Sequence, residues 1–262
     1  MEATELPAGE ITGNVLLYSR PEPLNPEAHG KLGLKRLDKP FAFASKTHLI
    51  PLTVTEFGPA ALSYPVIFVG DDYTPVGVMG LRDGENLFLS ADGSADPETY
   101  VPAYVRRYPF VFANDAGAGR MILCIDRSSE LFDENGGDVR LFDGNEPSDF
   151  TKNAMEFCRE FEGERQRTED FVKLLRGLDL FEVKQALFTP RQPDGSAGEP
   201  QLVAEYFAVS EEKLGKLPDD KLVELVRNGA LQQIYAHLNS LLGWERLIGR
   251  AIMRQNAGAA ND

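Results

Sequence analysis

The sequence has few of the residues on which covalent cross-links and metal sites depend. Its 262 residues include two cysteines, Cys124 and Cys158, and three histidines that lie far apart in the sequence. Neither residue type shows the spacing of a zinc site. Cys124 lies in an apolar run and Cys158 in a helical pattern, so we expect both to be buried free thiols. We therefore expect no metal and no cofactor.

The chain also has little positive charge and no long apolar run. Lys and Arg number 27 against 41 Asp and Glu, which gives a net charge of −14. Nucleic acids and anionic membrane surfaces attract cationic proteins, so we expect neither as a partner. No run of about 18 apolar residues occurs, and the acidic first nine residues lack the apolar centre of a secretory signal. These features predict a soluble cytoplasmic protein without membrane insertion.

Common catalytic motifs are missing as well. The sequence contains no GxSxG, P-loop, GxGxxG or HExxH pattern, each of which places a nucleophile, a phosphate or a metal ion. Whether the chain is an enzyme stays open on this evidence, and a non-catalytic role is the favoured hypothesis.

Short apolar runs separated by turn residues dominate the first half of the chain. Such runs indicate antiparallel strands, and Asp83-Gly84 between two of them is typical of a hairpin. Thr53 and Glu56 have the spacing of a capping box, which predicts a short helix that ends at Pro65. The apolar runs are 15–18, 66–69, 76–81, 87–89, 110–112 and 121–125.

Helical spacing dominates the second half. Apolar residues recur every three to four positions from Phe150 to Leu178 and from Ala230 to about Asn256, and a hairpin at 181–188 and 202–209 lies between these segments. The chain is thus predicted to be α+β, with a mainly antiparallel sheet in the N-terminal half and helices plus a β-hairpin in the C-terminal half. We expect a β-rich region with short helices at 1–145, a helical region with the inserted hairpin at 146–256, and a flexible tail at 257–262. Whether the two regions share one core stays open.

One segment, Tyr100 to Phe110, is a basic and aromatic exception in an acidic chain. Residues 126–170, which follow it, carry fourteen acidic and six basic side chains. Arginine forks suit carboxylate or phosphate groups, and tyrosines offer a flat surface with a hydroxyl group. The alternative is that the arginines pair with the chain's own acids and the tyrosines pack on the sheet. Two further candidates, Lys46 and His48, precede the apolar run 49–52. The full set of candidate ligand-binding residues is Lys46, His48, Tyr100, Tyr104, Arg106, Arg107 and Tyr108.

Six segments carry a recognisable pattern: residues 46–52, 64–68, 80–88, 100–110, 206–214 and 229–241. Together they resemble the bacterial SapC family. The similarity extends over roughly residues 14–250, and the Tyr/Arg segment is its most specific part. The resemblance implies a bacterial protein of a family named for a surface-layer gene locus, with outer-membrane receptor and flavin-halogenase-like gene neighbours. It brings no established catalytic residues.

Three functions remain open from the sequence. The first is a non-catalytic binding or accessory protein that recognises a small anionic molecule or a peptide through the Tyr/Arg segment. The second is an enzyme that uses His48 or Lys46 as acid or base, with tyrosine hydroxyls and Arg106 positioning an anion. The third is a surface-layer-related assembly component, a homo-oligomer that associates through the C-terminal helix near Trp244.

Overall fold

A computed structural model describes residues 15–115, 120–190 and 197–259, and the chain forms two compact units. Each unit is built from two separate stretches of sequence. The first unit comprises Met1–Pro40 and Arg107–Glu162, and the second comprises Phe41–Arg106 and Gly163–Asp262. The predicted boundary between residues 145 and 146 therefore falls inside the first unit.

Most strands precede the longest helix of the described residues, and most of the remaining helices lie at the C-terminal end. The strands are β1 Pro21–Pro23, β2 Gly33–Leu34, β3 Leu49–Pro51, β4 Val66–Val69, β5 Thr74–Val78, β6 Phe110–Asp115, β7 Arg120–Asp126, β8 Phe132–Asp133, β9 Val139–Arg140, β10 Phe142–Asp143, β11 Glu146–Pro147, β12 Phe181–Phe188 and β13 Gln201–Val209. The helices are α1 Pro26–His29, α2 Phe57–Ala61, α3 Ala103–Arg106, α4 Asp149–Gly177, α5 Glu211–Gly215, α6 Asp219–Arg227, α7 Ala230–Ser240 and α8 Trp244–Ala259.

The first unit contains three small antiparallel sheets. Their strand orders are β1-β7-β6, β8-β2-β9 and β10-β11. Apolar side chains from these strands, such as Phe110, Ile125 and Phe142, pack with Cys158 from the first half of α4 into one buried cluster. Removing such side chains from water is the main force that holds so small a set of strands together.

The second unit is organised by one antiparallel sheet of five strands, in the order β12-β13-β4-β5-β3. Aromatic rings form its core: Phe68 of β4 lies 4.9 Å from the Phe181 ring and 6.0 Å from the Phe57 ring, measured between centroids. Phe57 also contacts Phe171 of α4 at 5.9 Å. These edge-to-face arrangements are the ones that aromatic quadrupoles favour.

Helix α7 is joined to the sheet by a buried histidine. Strands β13 and β4 pair only at Phe207 and Phe68, and two residues further along, the His237 imidazole lies between them. Its Nδ1 donates to the Val66 carbonyl at 2.8 Å, and its Nε2 accepts the Val209 N–H at 3.1 Å. The ring thus replaces a direct backbone hydrogen bond where the strands separate.

Much of the sequence-based fold is confirmed. The chain is α+β with antiparallel sheets, and its N-terminal half is mostly strands. The predicted capping box is present, with Thr53 and Glu56 exchanging hydrogen bonds before α2. The hairpins β6–β7 and β12–β13 both form, although residues 116–119 and 191–196 in their loops lie outside the described residues. Cys124 and Cys158 are buried free thiols.

Two local predictions of strands are wrong. Residues 15–18 form a turn, in which Leu17 has a φ of 74° and the Tyr18 N–H donates to the Val15 carbonyl. Asp83-Gly84 is also a turn, but no strand follows it at 87–89. The reason is the fully buried Asn86, whose Oδ1 accepts the N–H groups of Phe88 and Leu89 that a strand would need.

The predicted last helix, 230–256, is two helices. A 3₁₀ turn at Leu241–Gly243 separates α7 from α8. Gly243 lies beside Pro65, because a Cβ atom there would be in ordinary van der Waals contact with the Pro65 ring, at 3.5 Å. Helix α8 continues to Ala259, so the predicted tail begins as helix, and residues 260–262 lie outside the described residues.

The long helix α4 is continuous through Gly163. Thr168, which interrupts its apolar stripe, is buried: its hydroxyl donates to the Glu164 carbonyl and accepts the Val54 N–H at 2.8 Å. The polar residue is therefore satisfied inside the second unit rather than by water. Among the described residues, no helix combines the length and the apolar character needed to cross a membrane.

Candidate functional site

The Tyr/Arg segment, residues 100–110, is divided between the two units. Tyr100, Tyr104 and Arg106 belong to the second unit, together with the earlier candidates Lys46 and His48. The two remaining candidates belong to the first unit; they are Arg107 and Tyr108.

A buried carboxylate organises the candidates of the second unit. Glu56 is 4% exposed, and its Oε2 accepts the Thr53 N–H at 2.8 Å and the Thr53 hydroxyl at 2.9 Å. Its Oε1 accepts the Tyr100 hydroxyl at 2.9 Å and the Ala103 N–H at 2.6 Å. Four donors thus satisfy the carboxylate and fix both the start of α2 and the start of α3.

Arg106 continues this network to the surface. Its Nη2 donates to the Tyr100 hydroxyl at 3.3 Å and its Nε to the Val101 carbonyl at 3.1 Å, while the guanidinium carbon lies 5.8 Å from the centre of the Tyr100 ring. The side chain is nevertheless exposed. A long, rotamer-rich side chain is thereby held in one place at the surface, where an arginine can meet an anion.

Tyr100 itself is held from both sides. Its N–H donates to the Ser63 hydroxyl, and its carbonyl accepts the Tyr64 hydroxyl at 2.9 Å. Burial and the adjacent Glu56 carboxylate raise the pKa of Tyr100 to about 12, and the same two causes raise the pKa of Tyr64. Both phenols therefore stay protonated at neutral pH and act as hydrogen-bond donors rather than as bases.

Lys46 and His48 belong to another segment of the same unit. They precede β3, and α3 packs beside β3. Lys46 is exposed and His48 is 30% exposed, with its Nδ1 3.6 Å from the fully exposed Asp83 carboxylate. Solvent weakens such a pair. Tyr104, by contrast, is 8% exposed and belongs to the core, so its ring is not a surface for a ligand.

Arg107 is buried in the first unit. Its guanidinium lies over the Phe161 ring at 4.3 Å and at 5.8 Å from the Tyr18 ring centre, and its Nη1 is 3.7 Å from the Glu162 carboxylate. Arg107 thus stacks on two rings beside an acid. This agrees with the alternative that the arginines of the segment pair with the chain's own acidic side chains rather than with a ligand. Of the two adjacent arginines, only Arg106 is exposed.

Tyr108 takes part in a second hydrogen-bonded group, around Asp126. This carboxylate is 1% exposed; it accepts the backbone N–H groups of Ser19 and Arg20, both the hydroxyl and the N–H of Ser128, and the Tyr108 hydroxyl at 3.3 Å. Burial opposes ionisation, but these donors outweigh it and lower the pKa of Asp126. Burial raises the pKa of Tyr108 to about 12.

The structure thus unites part of the predicted set and separates the rest. Tyr100 and Arg106 are in direct contact, and Lys46 and His48 lie before a neighbouring strand. Arg107 is buried in the other unit, and Tyr108 is partly buried there. Sequence reasoning missed Glu56 as the organiser of the site, although the capping-box spacing that it did recognise contains this residue. Asp126 was missed as well; it had been counted only as part of an acidic stretch.

The two cysteines offer no reactive thiol. Burial raises the pKa of both Cys124 and Cys158 to about 11, so neither forms the thiolate that nucleophilic or metal chemistry needs at neutral pH. In residues 15–115, 120–190 and 197–259, no three His, Cys, Asp or Glu side chains are grouped as metal ligands.

Fold and site together define an α+β protein with a surface arginine anchored on a buried carboxylate and a tyrosine. The SapC family model matches residues 24–247, which is most of the chain, so the chain belongs to the SapC family. Neither the comparison with curated proteins nor the comparison with solved structures finds a match.

Proposed function

We propose that the chain is a non-catalytic binding protein that recognises an anionic group, on a small molecule or a peptide, through Arg106. The observation that supports this most is that an exposed guanidinium is fixed by Tyr100, which is itself fixed by the buried Glu56. Holding a side chain in its binding position before the ligand arrives lowers the entropy cost of binding. Use of His48 and Lys46 as an enzyme's acid or base stays a prediction.

Lys46 extends the proposed site. It is exposed and belongs to the segment that leads into β3, beside which α3 packs. A second exposed cation in the same unit adds attraction for an anion in a chain whose overall charge of −14 repels one. The binding is therefore expected to weaken as salt is added.

The experiment is a thermal-shift screen with dicarboxylates, phosphate monoesters and peptides with free C-termini, followed by calorimetric titration of any compound that raises Tm. R106A is expected to weaken the binding of that compound about ten-fold or more, since a charge-assisted contact is removed. R106K is expected to retain part of it. R227A is the matched control, because Arg227 is an exposed arginine of α6 in the same unit.

Equal affinity of the wild-type protein and R106A would contradict the assignment of Arg106. Absence of a Tm shift with every compound class would contradict the binding function itself. Y100F tests the anchor separately, because it removes the hydroxyl that joins Arg106 to Glu56 and leaves the ring in place.

A further inference from the structure

Strand β12 forms one edge of the five-stranded sheet, and this edge is long and exposed. Strand β12 is eight residues long and, among the described residues, pairs with β13 alone. Its other side therefore presents unpaired backbone N–H and C=O groups, which is the arrangement that recruits another strand. The opposite edge of the sheet, β3, has only three residues.

One face of this hairpin is apolar and open to solvent. Val183 is 58% exposed and Leu187 is 55% exposed on β12, and Leu202, which pairs with Leu187 on β13, is 58% exposed. Between these two apolar positions of β12 lies Gln185, whose Nε2 donates to the Glu205 carboxylate at 2.9 Å. Apolar and polar positions thus alternate in rows across the two strands.

We propose that β12 pairs with β12 of a second copy of this chain, antiparallel about a twofold axis at Gln185. In that register each residue before Gln185 faces the residue of the second copy that lies equally far after Gln185. Val183 therefore faces Leu187 of the second copy, and Leu187 faces Val183. Directly opposed residues share a face of the sheet. The two sheets then become one sheet of ten strands.

The register matches the side-chain rows of both hairpins. Because Leu187 pairs with Leu202 and Val183 with Phe207 within one chain, each row across the junction contains four apolar side chains. Two such rows enclose a central row of two glutamines and two glutamates. This matching favours a second copy over an unrelated peptide, since the same strand supplies both halves of the pattern.

The charges of β12 agree with self-pairing. A net charge of −14 per chain makes copies repel one another, so a contact requires a locally neutral surface. Strand β12 has one acid and one base, Glu182 and Lys184, which form an ion pair of 3.2 Å on the other face. In the proposed register Lys184 faces Ala186 and Glu182 faces Phe188, so no like charges are directly opposed.

The test uses sedimentation velocity on the full chain, from low micromolar to several hundred micromolar. The wild-type protein is expected to form a dimer. V183E and L187K are each expected to raise the dimer dissociation constant about ten-fold or more, because each places a charge against an apolar side chain. The double variant V183E/L187K is expected to restore dimerisation, since opposite charges then face each other across the junction.

Restored dimerisation of the double variant would show that position 183 of one copy faces position 187 of the other. Within one strand the two positions are four residues apart and, at about 3.3 Å per residue, too distant to pair with each other. The control is V223E/L62K, which makes the same charge changes at exposed apolar positions elsewhere in the unit. Far-UV circular dichroism checks that each variant is folded.

Each remaining outcome would overturn the proposal. A wild-type protein that stays monomeric at every concentration has no such contact, and peptide addition would then be the alternative use of the edge. A dimer that is insensitive to both single variants uses another surface. Two weakened single variants without rescue in the double variant exclude the register at Gln185.

Discussion

At the residue scale, Glu56 shows how a local signal becomes a functional arrangement. The sequence predicted its capping role from the Thr53 spacing, and the structure confirms it. The contacts of the same carboxylate with Tyr100 and Ala103 span more than forty residues and follow from no local pattern. The candidate site was therefore predictable in its residue types, but its organiser was not.

Replacement of Glu56 by glutamine should destabilise the protein by about 2 to 3 kcal/mol. Each carboxylate oxygen accepts one backbone N–H, from Thr53 or from Ala103, so the introduced NH₂ group must oppose a backbone donor in either orientation. The free energy of unfolding in urea measures the loss. E98Q, at an exposed glutamate of the same unit, should leave it unchanged, and a stable E56Q would show that the four hydrogen bonds are not required.

The two arginines of the Tyr/Arg segment show where residue-level reasoning ends. They are adjacent and chemically identical, so the sequence assigns both to the same site. The structure exposes Arg106 and stacks Arg107 on Phe161 inside the other unit. Only tertiary packing distinguishes two such neighbours.

At the element scale, the hairpins β6–β7 and β12–β13 were predicted correctly, because their strands are apolar runs separated by turn residues. The prediction after Asp83-Gly84 was wrong because a buried side chain, Asn86, competes for the backbone N–H groups. The last helix was predicted as one, since its apolar periodicity continues through the break. Its interruption by the 3₁₀ turn at Leu241–Gly243 leaves no mark in that periodicity.

The histidine between β4 and β13 makes the joining of α7 to the sheet dependent on pH. Burial lowers the pKa of His237 from 6.5 to about 4. Between these values the unfolded chain binds more protons than the folded chain, so the free energy of unfolding falls as the pH falls. The stabilisation is complete above pH 6.5 and is lost by about pH 4, and its size is about 3 kcal/mol.

Urea unfolding of the wild-type protein and of H237A from neutral to acidic pH measures this effect as the difference between the two curves. H237A should be less stable at neutral pH and should lack the part of the slope that His237 contributes. H48A is a matched control, since His48 is partly exposed and its Nδ1 lies near the exposed Asp83 carboxylate. Parallel curves for the wild-type protein and H237A would contradict the pH dependence.

At the scale of the whole molecule, the fold class could be predicted from the sequence, but the division of the chain into two units could not. Composition and periodicity identify an α+β chain, and the family match agrees with the resemblance seen in the sequence. The interleaving of two units cannot be derived from periodicity, because residues 107–162 complete a unit that begins before residue 41. The predicted boundary between residues 145 and 146 lies within that unit.

Fragments 1–145 and 146–262 should each fail to unfold cooperatively, since each contains only parts of both units. Urea titrations followed by circular dichroism measure this directly. Co-expression of the two fragments should restore a cooperative transition by complementation. A sigmoidal transition of fragment 1–145 alone would show that the β-rich region is an independent domain.

The interleaved path also sets an order for folding during synthesis. The first unit has all its residues once Glu162 has left the ribosome, whereas residues 41–106 must wait for the stretch that starts at Gly163. Until then, this middle stretch is a long loop tethered at both ends, and closing such a loop costs little more entropy than closing a shorter one. Strand β4 obtains its sheet neighbour β13 only after that interval, so the five-stranded sheet is the last of the described sheets that the chain can complete.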